Sequence, residues 1–205
     1  MIARLTRYVL PTIVTAIALA TWEWAVVSYA VPAFVLPAPS AIWAALMENF
    51  TSLMGSAWVT LKLTLLAFFY ALVSGVALAM LFSQSRLVEG ALMPYAVVLQ
   101  VTPVVSIAPL ILIWVGLDHV DRALLILAWI VSFFPILSNT TQGLQSADAN
   151  LRDLFRLYGA SRWQTLWRLQ LPSSLPYLLA GMKISGGLAL IGAVVGITSG
   201  YALYV

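Results

Sequence analysis

Long apolar stretches separated by short polar ones run through the whole chain. Each stretch has about the 20 apolar residues that a helix needs to cross the hydrocarbon core of a bilayer. The pattern predicts about five membrane-spanning helices, over residues 10–31, 58–82, 94–115, 123–139 and 177–205. We therefore expect an all-α fold, a polytopic transmembrane helical bundle.

Two features interrupt this simple series of spans. Between residues 43 and 50, apolar side chains recur at helical spacing, which predicts a short amphipathic helix lying in the membrane interface. The third span carries Pro103 and Pro109, and the fourth carries Pro135. A proline inside a helix lacks an amide donor and clashes with the preceding turn, so we expect Pro103 to break or kink the third span.

The most polar part of the chain, residues 139–176, has the pattern of two short helices joined by a turn. Apolar side chains at residues 151, 154, 155 and 158 share one helical face. Gly159 can take the left-handed conformation that ends a helix, and Ser161-Arg-Trp-Gln164 predicts a capping box for the next one, which we expect to end at Pro172. The alternative is an amphipathic pair lying on the lipid headgroups.

Composition excludes a soluble domain and indicates an orientation. The chain is 62% hydrophobic and 8% charged, whereas soluble domains carry about 25% charged residues. With the N-terminus in the cytoplasm, eight of the ten Lys and Arg residues, Arg4 and Arg7 among them, lie on the cytoplasmic side. Basic residues favour that side of a bilayer, so we expect the N-terminus and the polar loop to be cytoplasmic.

Polar residues inside the predicted spans are candidates for a translocation path. They form two groups, Gln100, Thr102, Pro103 and Ser106 in the third span and Ser132, Pro135 and Asn139 in the fourth. Broken helices expose backbone groups that can coordinate a polar solute. The alternative is that these prolines and hydroxyls only shape helix packing. Glu23 in the first span has the same two interpretations, a packing contact or a pathway role.

The sequence contains no recognisable motif for ATP binding, metal binding or catalysis. It contains no phosphate-binding loop, so ATP hydrolysis is expected in another chain. The segment Asp118-His119-Val-Asp121 is better interpreted as a hydrated loop than as a metal site, because it lacks a fourth ligand. We expect no catalytic residue, no metal and no cofactor in this chain.

One motif in the polar loop resembles a known family. Gly159, nine residues and then Leu169-Gln170-Leu171-Pro172 is similar to the cytoplasmic "EAA" loop of binding-protein-dependent ABC importer permeases, in which a glycine precedes I-x-L-P by nine residues. Aligned on this glycine, the E-A-A positions hold Asp153, Leu154 and Phe155. Further motifs in order along residues 36–195 resemble the nitrate, sulfonate and taurine branch: Leu36-Pro-Ala-Pro-Ser-Ala-Ile-Trp43, Ser85-Arg86, Phe133-Phe-Pro-Ile136, Gly159-Ala-Ser-Arg-Trp163 and Leu175-Pro-Tyr177.

The resemblance implies a multi-pass permease subunit of the bacterial inner membrane. Its path would carry a small polar or anionic solute, such as nitrate, a sulfonate or taurine, or a related small organic compound. Its partners would be an ABC ATPase subunit that binds ATP and Mg, a second permease copy in a homodimer, a periplasmic solute-binding protein and the lipid membrane, with no nucleic acid. The residues expected to couple to the ATPase are Asp153, Gly159, Ala160, Ser161, Arg162, Trp163, Leu169, Leu171 and Pro172.

The end of the chain departs from the resemblance. We expect one permease domain over residues 1–205, with an N-terminal span in residues 1–35 and a core in residues 36–205. Family members continue after the region of Ala193-Val-Val195 with an acidic residue, a glycine-rich loop and a further span, but Ile197 stands at the acidic position. The resemblance therefore implies that the C-terminal part of the domain is missing. A non-transporting remnant or membrane-interaction protein is the alternative function.

Overall fold

The computed structural model describes the backbone of residues 2–204 and the side chains of residues 9–116 and 118–197. Every regular element in the described backbone is a helix, so the predicted all-α fold is confirmed. The chain divides into two compact units, residues 1–57 and 58–205. The expected single domain over the whole chain stays a prediction.

The first unit contains two helices and the beginning of a third. They are α1 (Ile2–Ser28), α2 (Pro39–Glu48) and the first turns of α3 (Phe50–Gln84). The Glu23 carboxylate accepts hydrogen bonds from the backbone N–H of Ser40 at 2.9 Å and from its hydroxyl at 2.6 Å. Ser40 lies in the first turn of α2, where backbone N–H groups lack partners within the helix. In the described structure, Glu23 therefore makes a helix-packing contact.

The short helix predicted over residues 43–50 corresponds to α2, except that Phe50 is the first residue of α3. Pro39 occupies the first turn of α2, where a missing N–H costs no hydrogen bond, and Asn49 ends the helix. None of the side chains of α2 is buried. The short helix between the first two spans is thus confirmed in position.

The second unit contains the rest of α3 and the remaining helices. Its elements are α4 (Arg86–Val101), α5 (Val104–Val115), a 3₁₀ turn (Leu117–His119), α6 (Val120–Gln145), α7 (Ala149–Leu157), α8 (Arg162–Thr165), a π-helical turn (Leu166–Gln170) and α9 (Leu171–Tyr204).

The number of candidate spans agrees with the sequence pattern. Within the described residues, four helical stretches are long and apolar enough to cross a membrane: residues 9–28, 50–84, 120–145 and 162–197. The pair α4 and α5 would make a fifth span, bent by 103° at its break. The break lies at Thr102 and Pro103, which confirms the expected effect of Pro103. The helix that contains the predicted start at Pro94 begins earlier, at Arg86, where Ser85 caps α4.

The core of the second unit is built on a close antiparallel contact between α6 and α9. Gly192 lies against Ala128, and Gly181 lies against the carbonyl of Pro135. A Cβ on Gly192 would lie 2.7 Å from the Cα of Ala128. Small residues at such positions let helix backbones approach closely. Nearby, the Ser185 hydroxyl donates to the Ser132 carbonyl at 2.6 Å.

Helix α3 covers another face of α6. A Cβ on Gly75 would lie 2.9 Å from Cγ2 of Ile136, and the indole N–H of Trp129 donates to the Ser74 hydroxyl at 3.0 Å. Pro135 is buried here and does not interrupt α6. The buried residues of this cluster are Ala71, Ala79, Phe82, Ala96, Phe133, Ile136, Leu137, Leu144 and Leu166.

Candidate functional site

The polar loop is fastened to the end of α6 by side-chain hydrogen bonds. The Arg152 guanidinium donates to the carbonyls of Gln145 and Ala147, the latter at 2.7 Å. The Asp148 carboxylate accepts from the backbone N–H groups of residues 150 and 151 at 2.8 and 3.1 Å and so caps α7. These contacts satisfy backbone groups that α6 and α7 leave unpaired at their ends.

The turn between α7 and α8 has the predicted left-handed glycine. Gly159 has a φ of +67°, and the N–H of Ala160 donates to the Phe155 carbonyl at 2.9 Å. A Cβ at Gly159 would meet no atom within 4 Å. The backbone conformation therefore favours glycine here, since neighbouring atoms leave the space open.

The predicted capping box is confirmed in α8. The Gln164 N–H donates to the Ser161 hydroxyl at 3.2 Å, and the Ser161 N–H donates to the Gln164 side-chain oxygen at 2.8 Å. This reciprocal pair satisfies two backbone donors at the start of the helix. Hydrogen bonds therefore fix both ends of the turn, to the Phe155 carbonyl before it and in the capping box after it.

The helix that starts at Arg162 does not end at Pro172, so that part of the prediction is wrong. Residues 162–197 form one continuous helical stretch. The Leu171 N–H donates to the Leu166 carbonyl, five residues earlier, within the π-helical turn. This turn shifts the hydrogen-bond register just before the proline, which lacks an N–H, and the helix passes through. The helix that contains the last predicted span therefore begins well before Tyr177.

Leucines under the π-helical turn anchor the loop in the core. Leu169 is buried, and Leu171 is partly buried against the cluster of α3 and α6. Leu166 is completely buried in the same cluster, and the sequence interpretation missed it. Its position three residues before Leu169 is the signal that identifies it, because residues at that spacing share a helix face. Pro172 is exposed.

Apolar side chains around the Gly159 turn are strongly exposed. Leu157 and Tyr158 precede the turn, and Trp163 and Trp167, which are 62% and 61% exposed, follow it. We call these four side chains the tip residues. An apolar surface of this kind is typical of a site that binds another protein or the membrane interface. Asp153 pairs with Arg156 at 3.5 Å, but both side chains are highly exposed, so the pair adds little stability.

A basic cleft lies between the loop and the junction of α3 and α4. The Arg162 guanidinium crosses it and donates to the Gln84 carbonyl at 3.2 Å. The cleft has a volume of about 700 Å³, and its walls include four arginines, at positions 86, 152, 156 and 162, together with Ala160. The sequence interpretation missed it, because Gln84 and Arg162 are 78 residues apart in the chain.

The two groups of candidate path residues lie in different environments. Gln100 and Ser106 are exposed at the break between α4 and α5, beside Thr102 and Pro103. Ser132, Pro135 and Asn139 lie in α6. The Ser132 hydroxyl donates to the Ala128 carbonyl at 2.7 Å, and the Asn139 amide donates to the Pro135 carbonyl at 2.8 Å. The side-chain donors of Ser132 and Asn139 are thus occupied within their own helix.

Comparison with known proteins identifies related transport components. The family described as "binding-protein-dependent transport system inner membrane component" matches residues 71–201, which include the loop and both groups of path residues. A formylaminopyrimidine transport permease protein of Halalkalibacterium halodurans is 35% identical over 67% of this chain, and a riboflavin transport system permease protein of Chloroflexus aurantiacus is 34% identical over 85%. A taurine transport system permease protein of Escherichia coli is 31% identical over 60%. The chain spans 54%, 65% and 42% of the lengths of these three relatives.

Proposed function

Because the chain belongs to the family of binding-protein-dependent transport system inner membrane components, we propose that it is the permease subunit of an ATP-driven importer and that its polar loop couples it to a separate ATPase. Members of this family are transport components of the inner membrane, and the several apolar helices make the chain a multi-pass membrane protein. ATP and Mg would be bound by the ATPase subunit, and the chain itself would carry no catalysis.

The observation that carries this proposal is the helical continuity between the tip and a membrane span. The tip residues Trp163 and Trp167 lie at the start of the stretch that runs through residues 162–197. Buried leucines hold the π-helical turn against α3 and α6, and α9 packs closely on α6. A displacement of the tip would therefore reach the span through a stiff element.

Gly159 would serve as the pivot of this lever. It lies between α7 and the capped α8, at a position where the backbone is left-handed and the surrounding space is open. Ser161, Ala160 and Trp163 would then meet the ATPase, while Leu169, Leu171 and Pro172 connect that contact to α9. Asp153 retains the acidic character of the first E-A-A position.

The break between α4 and α5 is our candidate for a lining segment of the translocation path. There α4 ends and α5 begins, so their terminal carbonyl and N–H groups lack partners within the helices. The Thr102 hydroxyl donates to the Val98 carbonyl of α4 at 2.6 Å, so Gln100 and Ser106 supply the exposed polar side chains. Helix ends inside a membrane can coordinate polar or anionic groups. Ser132, Pro135 and Asn139 would instead shape the contact between α6 and α9.

The proposed solute is a small polar or anionic organic compound. The relatives carry names for formylaminopyrimidine, riboflavin and taurine transport, which share this general chemistry. The importer would also contain a second permease copy and a periplasmic solute-binding protein. The N-terminus and the loop would face the cytoplasm, as the distribution of basic residues favours. Two of these, Arg4 and Arg7, lie outside the described side chains.

A cysteine cross-linking experiment tests the coupling contact. The chain contains no cysteine, so a single introduced thiol gives an unambiguous attachment site. We expect Leu157→Cys, at the tip, to cross-link to the ATPase subunit in the assembled complex. The matched control is Trp114→Cys, at an exposed apolar position in α5, and it should not cross-link.

Solute-dependent ATP hydrolysis in liposomes tests the transport function as a whole. We expect hydrolysis to rise when the solute-loaded binding protein is added. A chain that inserts into the membrane but neither cross-links to an ATPase nor supports this stimulation would be a remnant or a membrane-interaction protein, and the proposal would be wrong.

A further inference from the structure

We propose that the basic cleft beside the loop binds the phosphate of an anionic phospholipid and that an apolar groove on α4 holds one of its acyl chains. This site adjoins the coupling surface, since Ala160 and Arg162 also line the cleft, and it shares no residue with the candidate path. Its residues lie on α4, on the junction of α3 and α4, and on the inner side of the loop.

The polar end of the site is rich in arginine. Arg86, Arg152, Arg156 and Arg162 line the cleft, and none of its lining residues is acidic within the described part of the chain. Arg156 is partly neutralised by Asp153 at 3.5 Å. Arg86 forms no ion pair among the described side chains. Guanidinium groups bind phosphate with two parallel hydrogen bonds, so the cleft suits a phosphate group.

The apolar end of the site is continuous with the polar end at Arg86. A groove of about 630 Å³ begins at this residue and is lined by Gly90, Met93, Pro94 and Val97. Residues at these spacings share one face of α4, so the groove follows the helix along its length. Glu89 borders the groove, and its carboxylate accepts a hydrogen bond from the Gln145 amide at 2.8 Å.

This combination favours a lipid over a free anion or an acidic protein segment. A free phosphate would use the arginines and leave the groove empty. A protein partner is expected at the exposed tip residues. The cleft instead lies between two segments of this chain, the loop and the junction of α3 and α4. Basic pockets at the ends of membrane spans attract anionic headgroups, and a groove lined by Met93 and Val97 offers apolar surface to an acyl chain.

Native mass spectrometry of the full-length chain in detergent tests the site. The probes are phosphatidylglycerol and phosphatidylcholine with identical acyl chains, and glycerol phosphate as a headgroup without chains. We expect more phosphatidylglycerol than phosphatidylcholine to be retained. Arg86→Gln should lower the retention of phosphatidylglycerol about fivefold, as expected for one arginine near a headgroup. Arg86→Lys should retain an intermediate amount, because it keeps the charge and loses the paired hydrogen bonds.

The groove has its own variant and control. A Cβ at Gly90 would meet no atom within 4 Å, so Gly90→Leu can fill the groove without disturbing the chain. Gly187 in α9 is equally open, and Gly187→Leu is the matched control. Arg168→Gln is the control for charge, because Arg168 is exposed and lies outside the cleft. We expect Gly90→Leu to lower lipid retention and both controls to leave it unchanged.

Three results would overturn the proposal. Equal losses in Arg86→Gln and Arg168→Gln would indicate a general effect of surface charge. Full displacement of the lipid by glycerol phosphate, with no effect of Gly90→Leu, would indicate a free-anion site. Loss of ATPase binding in Arg86→Gln without loss of lipid would indicate a protein contact. Because lipid retention is measured without the ATPase, the outcome is independent of the proposed coupling.

Discussion

Glycine has a different structural role in each of two regions of this chain. At the contact between α6 and α9, a Cβ on Gly181 or Gly192 would lie within 2.9 Å of the neighbouring helix. At the loop, a Cβ on Gly159 would meet nothing within 4 Å, but its φ is +67°. The first region uses glycine to bring two helices together, and the second uses it to turn the backbone.

The difference separates a closely packed helix contact from an open turn. Close backbone packing between α6 and α9 resists displacement, because any shift must move whole helices. The turn at Gly159 has open space around it, so a substitution there meets no neighbouring atom and acts through the left-handed backbone alone. A coupling element requires both properties, a pivot and a stiff connection to the span.

The largest expected effect on stability is at the helix contact. Gly192→Leu should force α6 and α9 apart and lower the free energy of unfolding by about 3 kcal/mol, the upper part of the range for overpacking. Thermal unfolding in detergent measures the loss, with Gly187→Leu as the control at an open position of the same helix. Equal unfolding temperatures for the two variants would contradict the close contact.

A smaller effect on stability is expected at the pivot. Gly159→Val should cost about 1–2 kcal/mol, because a β-branched residue is strained in the left-handed region. Gly159→Asn should cost less, since asparagine tolerates that conformation. Both variants should insert into the membrane and elute as folded protein in size-exclusion chromatography. If Gly159→Val failed to insert, the turn would be needed for folding, and its effect on transport could not be assigned to coupling.

The hydrogen bond between α9 and α6 should contribute still less. Ser185→Ala removes the donor to the Ser132 carbonyl, and we expect a loss of about 0.6 kcal/mol, the average for such bonds between membrane helices. Unfolding in mixed detergent measures it. The control is Ser173→Ala, whose hydroxyl donates within its own helix to the Leu169 carbonyl. A loss above about 2 kcal/mol would contradict the expectation that close packing stabilises this contact more than this single hydrogen bond does.

The smallest effect on stability is expected at the tip. Trp163→Ala removes an exposed side chain and should leave the unfolding temperature unchanged. If Trp163 anchors the contact with the ATPase, binding should weaken about 30-fold, as for a typical interface hot spot of about 2 kcal/mol. Trp114→Ala is the control, because Trp114 is exposed in α5, away from the loop. Unchanged ATPase binding would favour the alternative in which the loop lies on the headgroups.

Local sequence rules predicted the features that depend on neighbouring residues. The left-handed Gly159, the capping box of Ser161 and Gln164, and the break at Pro103 each follow from a few consecutive side chains and their backbone. For the same reason, the apolar stretches predicted the candidate spans, apart from their ends. The family resemblance predicted from the ordered motifs is confirmed by the match over residues 71–201.

Features that depend on distant residues or on a shifted register escaped prediction. Pro172 predicts a helix end only if the preceding turn is regular, and the π-helical turn changes that register. The contact of Arg162 with the Gln84 carbonyl joins residues far apart in sequence. The burial of Ser132 against Ser185 likewise depends on how α6 and α9 pair. Such contacts are set by tertiary packing.

Solute uptake by the complete importer in liposomes tests the coupling claim most directly, using Gly159→Val beside Gly159→Asn. The two variants differ mainly in how well they tolerate a φ of +67°. We expect Gly159→Val to bind the ATPase subunit and lose solute uptake, and Gly159→Asn to retain most of it. Uptake by Gly159→Val at the rate of the unmodified chain would contradict the role of Gly159 as the pivot.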